Sequence, residues 1–171
     1  MVIDKYGIQL RFATINDADF ILSLRTDPNL NQHLSFTSND NNKQVEWLTN
    51  YKLREEKKQE FYFIAEIDGI AYGTTRLYNF DEESFETGSW LFSQETPAGV
   101  AIKADIIGRE FGFESLKAKY CRFEVRKENK SVVRYHLGYK PNLINEDELN
   151  FYFTLAQEDF NIHKNKLLKF I

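Results

Sequence analysis

The stretch Trp90-Leu91-Phe92-Ser93-Gln94-Glu95-Thr96-Pro97-Ala98-Gly99-Val100-Ala101-Ile102-Lys103-Ala104 runs from an apolar strand pattern, through a loop of small residues, into a helix start. Apolar residues then recur at Ile102, Ile106, Ile107 and Phe111, the spacing of one helix face, and a strand pattern resumes at Tyr120 to Val125. Strand, helix, strand implies a parallel crossover, and hence an α/β fold. The loop has a physical meaning of its own. A helix N-terminus offers unpaired N–H groups and the positive end of a dipole, and small side chains let the backbone approach phosphate oxygens. A glycine before a helix is also ordinary turn punctuation, so the loop alone does not decide between the two readings.

Upstream, Ile8 to Phe12 alternates as a strand, and Asn16 and Asp17 stand as cap residues before Phe20, Ile21 and Leu24, spaced along one helix face. Pro28 interrupts this helix. After the polar stretch Thr37 to Lys43, a second amphipathic helix carries Val45, Trp47, Leu48 and Tyr51 and ends in the charged run Arg54 to Lys58. Glu60 to Ile67, the Asp68-Gly69 turn, Ile70 to Tyr78 and Phe85 to Phe92 predict a meander of three antiparallel strands. Downstream, Asn129 caps a short helix ending at Gly138, and Tyr139 to Ile144 with Leu149 to Leu155 predict a closing pair of strands before a Lys-rich tail from His163.

The chain has 171 residues, which fits one domain spanning 1–171. Its 42% apolar share, with fifteen Phe and nine Tyr against 28% charged residues, is that of a globular protein with a sizeable core. A formal charge of −4 argues against a nucleic-acid footprint, which needs a basic stripe or patch. No apolar run approaches the roughly 20 residues of a membrane helix, and Met1 to Leu10 lacks the apolar core of a signal peptide, so a cytoplasmic, membrane-free protein is expected. The single Cys121 excludes an internal disulfide and a cysteine-built zinc site, and it is expected to be a buried strand residue. His33, His136 and His163 lack metal-ligand spacing, so no metal is expected.

The strand, loop and helix around Gly99, the downstream strand Arg122-Phe123-Glu124-Val125, and the Asn129 helix ending in Gly138-Tyr139 together resemble the GNAT superfamily of acetyl-CoA-dependent N-acetyltransferases. The resemblance implies a mixed, mostly antiparallel sheet flanked by helices, with a splayed strand pair forming an acetyl-CoA cleft. It places the diphosphate loop at Thr96, Gly99, Val100, Ala101, Ile102 and Lys103; Thr96 stands where the family usually has Gln or Arg. It further implies that main-chain groups of Leu91 and Ser93 pair with the pantetheine arm, that an amide near Phe92 meets the oxyanion, and that Asn129 contacts the same arm, a residue equally suited to an N-cap.

The family commonly places a Tyr seven residues after that Asn as general acid; here the count reaches His136, with Tyr135 beside it. Tyr135 is the first candidate and His136 the second, since both rings can donate a proton. Glu86 matches a position where many members carry Glu, which implies a base and acceptor contact, or else a solvent-facing strand residue. Leu24-Arg25-Thr26-Asp27-Pro28-Asn29-Leu30-Asn31-Gln32-His33-Leu34, followed by Trp47, resembles members that acetylate nucleotide-linked amino sugars. There Arg25 meets a phosphate, or else pairs with Asp27 or caps a neighbouring helix. The opening Leu10-Arg11-x-Ala13-x-x-x-Asp17-Ala18 resembles ribosomal-protein N-terminal acetyltransferases, and a catalytically silent acetyl-CoA-binding module is a third reading. The partner expected is a small-molecule amine, with Phe151-Tyr152-Phe153 a candidate homodimer face.

Overall fold

A computed structural model describes residues 1–33, 36–169 and 171. In chain order the elements are β1 (Val2–Lys5), β2 (Ile8–Phe12), α1 (Ala18–Thr26), α2 (Asn41–Glu56), β3 (Phe61–Ile67), β4 (Ile70–Tyr78), β5 (Ser84–Phe92), α3 (Val100–Glu110), β6 (Tyr120–Arg126), α4 (Lys130–Leu137), β7 (Asn142–Glu146), β8 (Asn150–Ala156) and α5 (Gln157–Leu168). The strands form one sheet in the order β1-β2-β3-β4-β5-β6-β8-β7. Every pairing is antiparallel except β5 with β6, which is the parallel crossover expected around α3. Among the described residues no helix is long and apolar enough to cross a membrane.

Local chemistry accounts for the turns. Asp68 and Gly69 have φ of 50° and 77°, the left-handed pair a two-residue hairpin needs, and they join Ile67 to Ile70. Tyr6 and Gly7, at φ 56° and 75°, make the same turn between β1 and β2. The strand β1 was not legible because Val2-Ile3-Asp4-Lys5 has no alternating apolar pattern and is largely exposed. The cap before α1 is more elaborate than two polar residues in a row. Asp17 accepts from the Thr14 N–H and hydroxyl, at 2.7 and 2.9 Å, and takes both terminal nitrogens of Arg11. Asp40 caps α2 by accepting from the N–H groups of Asn42 and Lys43.

At β3 the sheet is buried on both faces, which explains five consecutive buried residues from Phe61 to Ala65. Phe61, Phe63 and Ala65 pack with Ala104, Ile107 and Phe111, while Tyr62 and Ile64 pack with Ile21, Leu48 and Tyr51. The Lys-rich tail is helical in α5, where Phe160 enters the core and Lys164 binds Glu110 at 2.8 Å. Cys121 is buried, as its strand position predicts. The aromatic strand β8 lies between β6 and β7 and puts Phe153 in the core, while Phe151 and Tyr152 are half-buried.

Candidate functional site

Two irregularities in β5 open the sheet. Between the pairs Arg76↔Gly88 and Thr74↔Leu91, Ser89 and Trp90 face the single residue Thr75, which is a β-bulge. Ser89 sits there at φ 50°, held by the Thr74 hydroxyl donating to its carbonyl at 2.6 Å. A non-glycine residue in that region costs about 1 kcal/mol, which one hydrogen bond offsets. The second is the early parting of β5 from β6: the two strands pair only at Ser84↔Tyr120, Phe85↔Cys121 and Glu86↔Arg122, so the pairing ends ahead of the bulge. The cleft between them, about 450 Å³, is lined by residues that include Ser89, Trp90, Leu91, Phe123, Asn129 and His136.

Strand alternation decides which main-chain groups face this gap. Ser93 spends its N–H on the Tyr72 carbonyl at 2.9 Å, and the Leu91 carbonyl lies against Gly73, so both turn toward β4. Trp90 and Phe92, one residue out of step, therefore turn their N–H and C=O groups toward the gap. The main-chain groups that face the gap are thus those of Trp90 and Phe92, whereas those of Leu91 and Ser93, singled out from sequence, face β4. An extended amide chain lying here satisfies groups that are otherwise left to water.

At the end of the cleft Gly99 starts α3 at φ 83°. Val100 donates to Pro97 O and Lys103 to Gly99 O, whereas the N–H groups of Gly99, Ala101 and Ile102 have no partner among the described residues. Three unpaired donors at a helix N-terminus fit a diphosphate. Thr96 is turned inward: its hydroxyl donates to Ser93 O at 2.7 Å, bracing the loop rather than reaching outward. A Cβ on Gly99 would stand 2.8 Å from Ile171 Cβ, so a side chain there is strained on both steric and conformational grounds. Trp90 Nε1 donates to Ala101 O at 2.9 Å and ties the splayed strand to the helix start.

The side walls come from α3 and α4. Asn129 caps α4 by accepting from Val132 N at 3.3 Å while lining the cleft, so the cap and a cleft-facing position coexist. Tyr135 and His136 part company. Tyr135 stacks on Trp90 and sends its hydroxyl inward to Asp105 at 2.7 Å, and burial pushes its pKa well up; His136 lines the cleft. Of the two residues singled out from sequence, His136 therefore faces the cleft and Tyr135 sends its hydroxyl away from it. Burial, then the Arg109 charge, lower His136 to about 3.

Glu86 lies where β5 still pairs with β6, with both oxygens engaged by Tyr78 OH at 2.9 Å and Asn79 Nδ2 at 3.0 Å. It stands behind the cleft rather than on its wall, and Tyr78 is the wall.

A second cavity of about 300 Å³ lies under α1 and α2 and brings Arg25 and Trp47 together with Lys43, Tyr62, Arg76 and Ser89. Arg25, Arg76 and Ser89 line both cavities, so the two meet there. Arg25 is not paired with Asp27. Its Nε donates to Thr37 at 2.9 Å, and its terminal nitrogens have no partner among the described residues. Leu34, which ends the segment containing Arg25, lies outside the described residues. Arg76 was not singled out from sequence. Its Nε is bound to buried Glu60, and its guanidinium stands 5.0 Å from the Trp47 ring and 4.6 Å from the Tyr78 ring. The Thr74-Thr75-Arg76 run carries no signal for this, because the partners come from α2 and from the strand's own neighbour.

The acetyltransferase (GNAT) domain family matches residues 8–137. The structure of apo FdhC, a nucleotide-linked sugar GNAT, is 33% identical, with a TM-score of 0.89 over 99% of this chain and 98% of that one. The ribosomal-protein-S5-alanine acetyltransferase from Vibrio fischeri shares the fold at a TM-score of 0.80 and 14% identity, over 94% of this chain and 98% of that one. Campylobacter jejuni N-acetyltransferase PseH does so at 0.66 and 20%, over 88% and 99%. No curated protein matches the sequence. With the splayed strands, the open helix N-terminus and a family match over most of its length, the chain belongs to the GNAT acetyltransferases, enzymes that use acetyl-CoA.

Proposed function

We propose that this enzyme transfers the acetyl group of acetyl-CoA to the primary amine of a nucleotide-linked amino sugar, by direct attack within a ternary complex. The observation that carries this reading is the junction of the two cavities at Arg25, Arg76 and Ser89. The acceptor cavity contributes Arg25, Lys43 and Arg76 against the single acid Asp40, so it favours an anion, and two guanidinium forks match phosphate oxygens. The 33% identity to a nucleotide-linked sugar GNAT supports the same class of acceptor.

Each residue has a stated task in this reading. Gly99, Ala101 and Ile102 hold the diphosphate through their N–H groups, and Val100 and Lys103 shape that first turn. Trp90, Phe92 and Asn129 align the pantetheine arm, with Thr96 and Ser93 bracing the loop and Leu91 the wall. Acetyl-CoA supplies an acetyl group activated as a thioester. Tyr78 accepts the amine proton as it passes its own to Glu86, whose carboxylate it already contacts at 2.9 Å. A backbone N–H at Phe92 faces the developing oxyanion, and His136 faces the departing sulfur. Arg25 and Trp47 hold the acceptor, with Arg76.

The test is release of free thiol from acetyl-CoA with UDP- and dTDP-linked amino sugars, free amino sugars, and Ala- or Ser-initiated peptides. Turnover confined to the nucleotide sugars is expected. Turnover with peptides alone would make the enzyme a protein N-terminal acetyltransferase, and coenzyme A binding without turnover on any amine would leave a silent module.

A further inference from the structure

The buried groups behind the cleft explain which proton His136 carries. Arg109 is completely buried, and each part of its guanidinium has one partner. Nε is held by both oxygens of Asp105 at 3.0 and 2.9 Å, Nη1 donates to Cys121 Sγ at 3.3 Å, and Nη2 stands 3.3 Å from His136 Nδ1. Asp105 is itself fixed by Tyr135, and Phe123 and Tyr139 pack on the guanidinium at 4.6 and 5.3 Å. The guanidinium cannot rotate away, and it has only donors to offer.

Facing a donor, His136 Nδ1 must be the acceptor, which leaves the proton of the neutral ring on Nε2. Nε2 has no partner among the described residues. Among the described residues the one sealed side-chain nitrogen or oxygen without a partner is Arg122 Nε, so His136 Nε2 is open, and the cleft is what the ring lines. The titratable groups around the imidazole are Arg109 and Asp105 from α3, Cys121 from β6, and Tyr135 and Tyr139 from α4 and its end; β5 contributes the neutral Trp90.

We infer that Arg109 is a positioning residue that locks His136 as the neutral, Nε2-protonated tautomer, so that the ring offers sulfur a fixed hydrogen-bond donor and serves neither as imidazolium acid nor as base. This rests on the reading that the cleft takes the thioester arm. The acceptor nitrogen forms the new N–C bond, the C–S bond breaks, and its electron pair goes to sulfur under the Nε2–H. The nitrogen loses one proton to the Tyr78 and Glu86 pair, and sulfur gains one from solvent, so the protons balance.

The test is the tautomer of His136 in the wild-type protein, read from long-range proton–nitrogen correlation spectra of histidine-labelled protein, with His136 assigned by its loss in His136→Gln. A bare Nδ1 and protonated Nε2, unchanged from about pH 8 to about pH 5, is expected. A protonated Nδ1, or an imidazolium forming in that range, overturns the inference. In a folded Arg109→Lys protein, which keeps the charge without the fork, a protonated Nδ1 should become detectable; an unchanged spectrum removes Arg109 from the role. These spectra need no acceptor, so they stand apart from the amino-sugar reading. With whichever amine turns over, His136→Gln, which keeps an N–H at the Nε2 position, should lower kcat far less than His136→Phe does. His136→Phe should lower kcat about 100-fold at unchanged KM for acetyl-CoA; equal activity of the two variants contradicts the inference.

Discussion

Tyr78 donates its phenol proton to Glu86 at 2.9 Å, and of the two only Tyr78 reaches the cleft wall. A carboxylate one side chain removed from the amine can still take its proton through the phenol. Glu86→Gln keeps an acceptor for Tyr78 but cannot hold a proton, so kcat should fall about 100-fold or more, with little change in KM for either substrate. Tyr78→Phe should cost a similar factor. The double variant should be no worse than either single one, because residues acting as a unit are not additive; steady-state kinetics of the three variants checks this.

Gly99 is held at φ 83° with Ile171 across from its missing side chain. Gly99→Val should therefore turn the first N–H groups of α3 away from a diphosphate. The dissociation constant of coenzyme A, measured calorimetrically, should rise at least about 10-fold, the loss of one to two charge-assisted hydrogen bonds. Affinity for the acceptor should change little.

Arg25 is the cleaner probe of the acceptor cavity, since its Nε partner is the neutral Thr37, whereas removing Arg76 leaves buried Glu60 with Arg54 alone. Arg25→Met should lower kcat/KM for a nucleotide sugar about 10- to 100-fold while leaving KM for acetyl-CoA near the wild-type value. Arg76→Met should do the same and also destabilise the fold, read as a lower urea midpoint.

His136 gives the stability a pH dependence. Burial and the Arg109 charge lower its folded value from 6.5 to about 3. Between those values the unfolded chain binds a proton that the folded chain refuses, so stability is full above the unfolded value and is lost as pH falls toward the folded one. The loss should approach about 1.4 kcal/mol for each unit below roughly pH 6. Urea unfolding at about pH 7.5 and about pH 5 avoids the range where Asp17 and Glu110 titrate, and His136→Gln should show the smaller difference between the two.

Much of this was legible because the signals are local. Asp68-Gly69, Asn129 before α4, and Gly99 before α3 each act within a few residues, and each stands where its chemistry places it. What was hidden depends on distant partners. Asp105 and Arg109, four apart on a helix, look like a solvated pair until β6 and α4 bury them. Tyr135 and His136 are adjacent in sequence, and only the packing of α4 on Trp90 and Phe123 sends one inward and the other to the cleft. Arg76 joins the cavity under α1 and α2 only when Trp47 arrives from α2.

The most direct measurement is kcat/KM for one amino sugar supplied with and without its nucleotide diphosphate. If Arg25 and Arg76 hold the diphosphate at the junction of the two cavities, the nucleotide-linked form should be favoured about 1000-fold or more, because binding energy away from the amine is used to orient it. Equal kcat/KM for the two forms would contradict a nucleotide-linked acceptor.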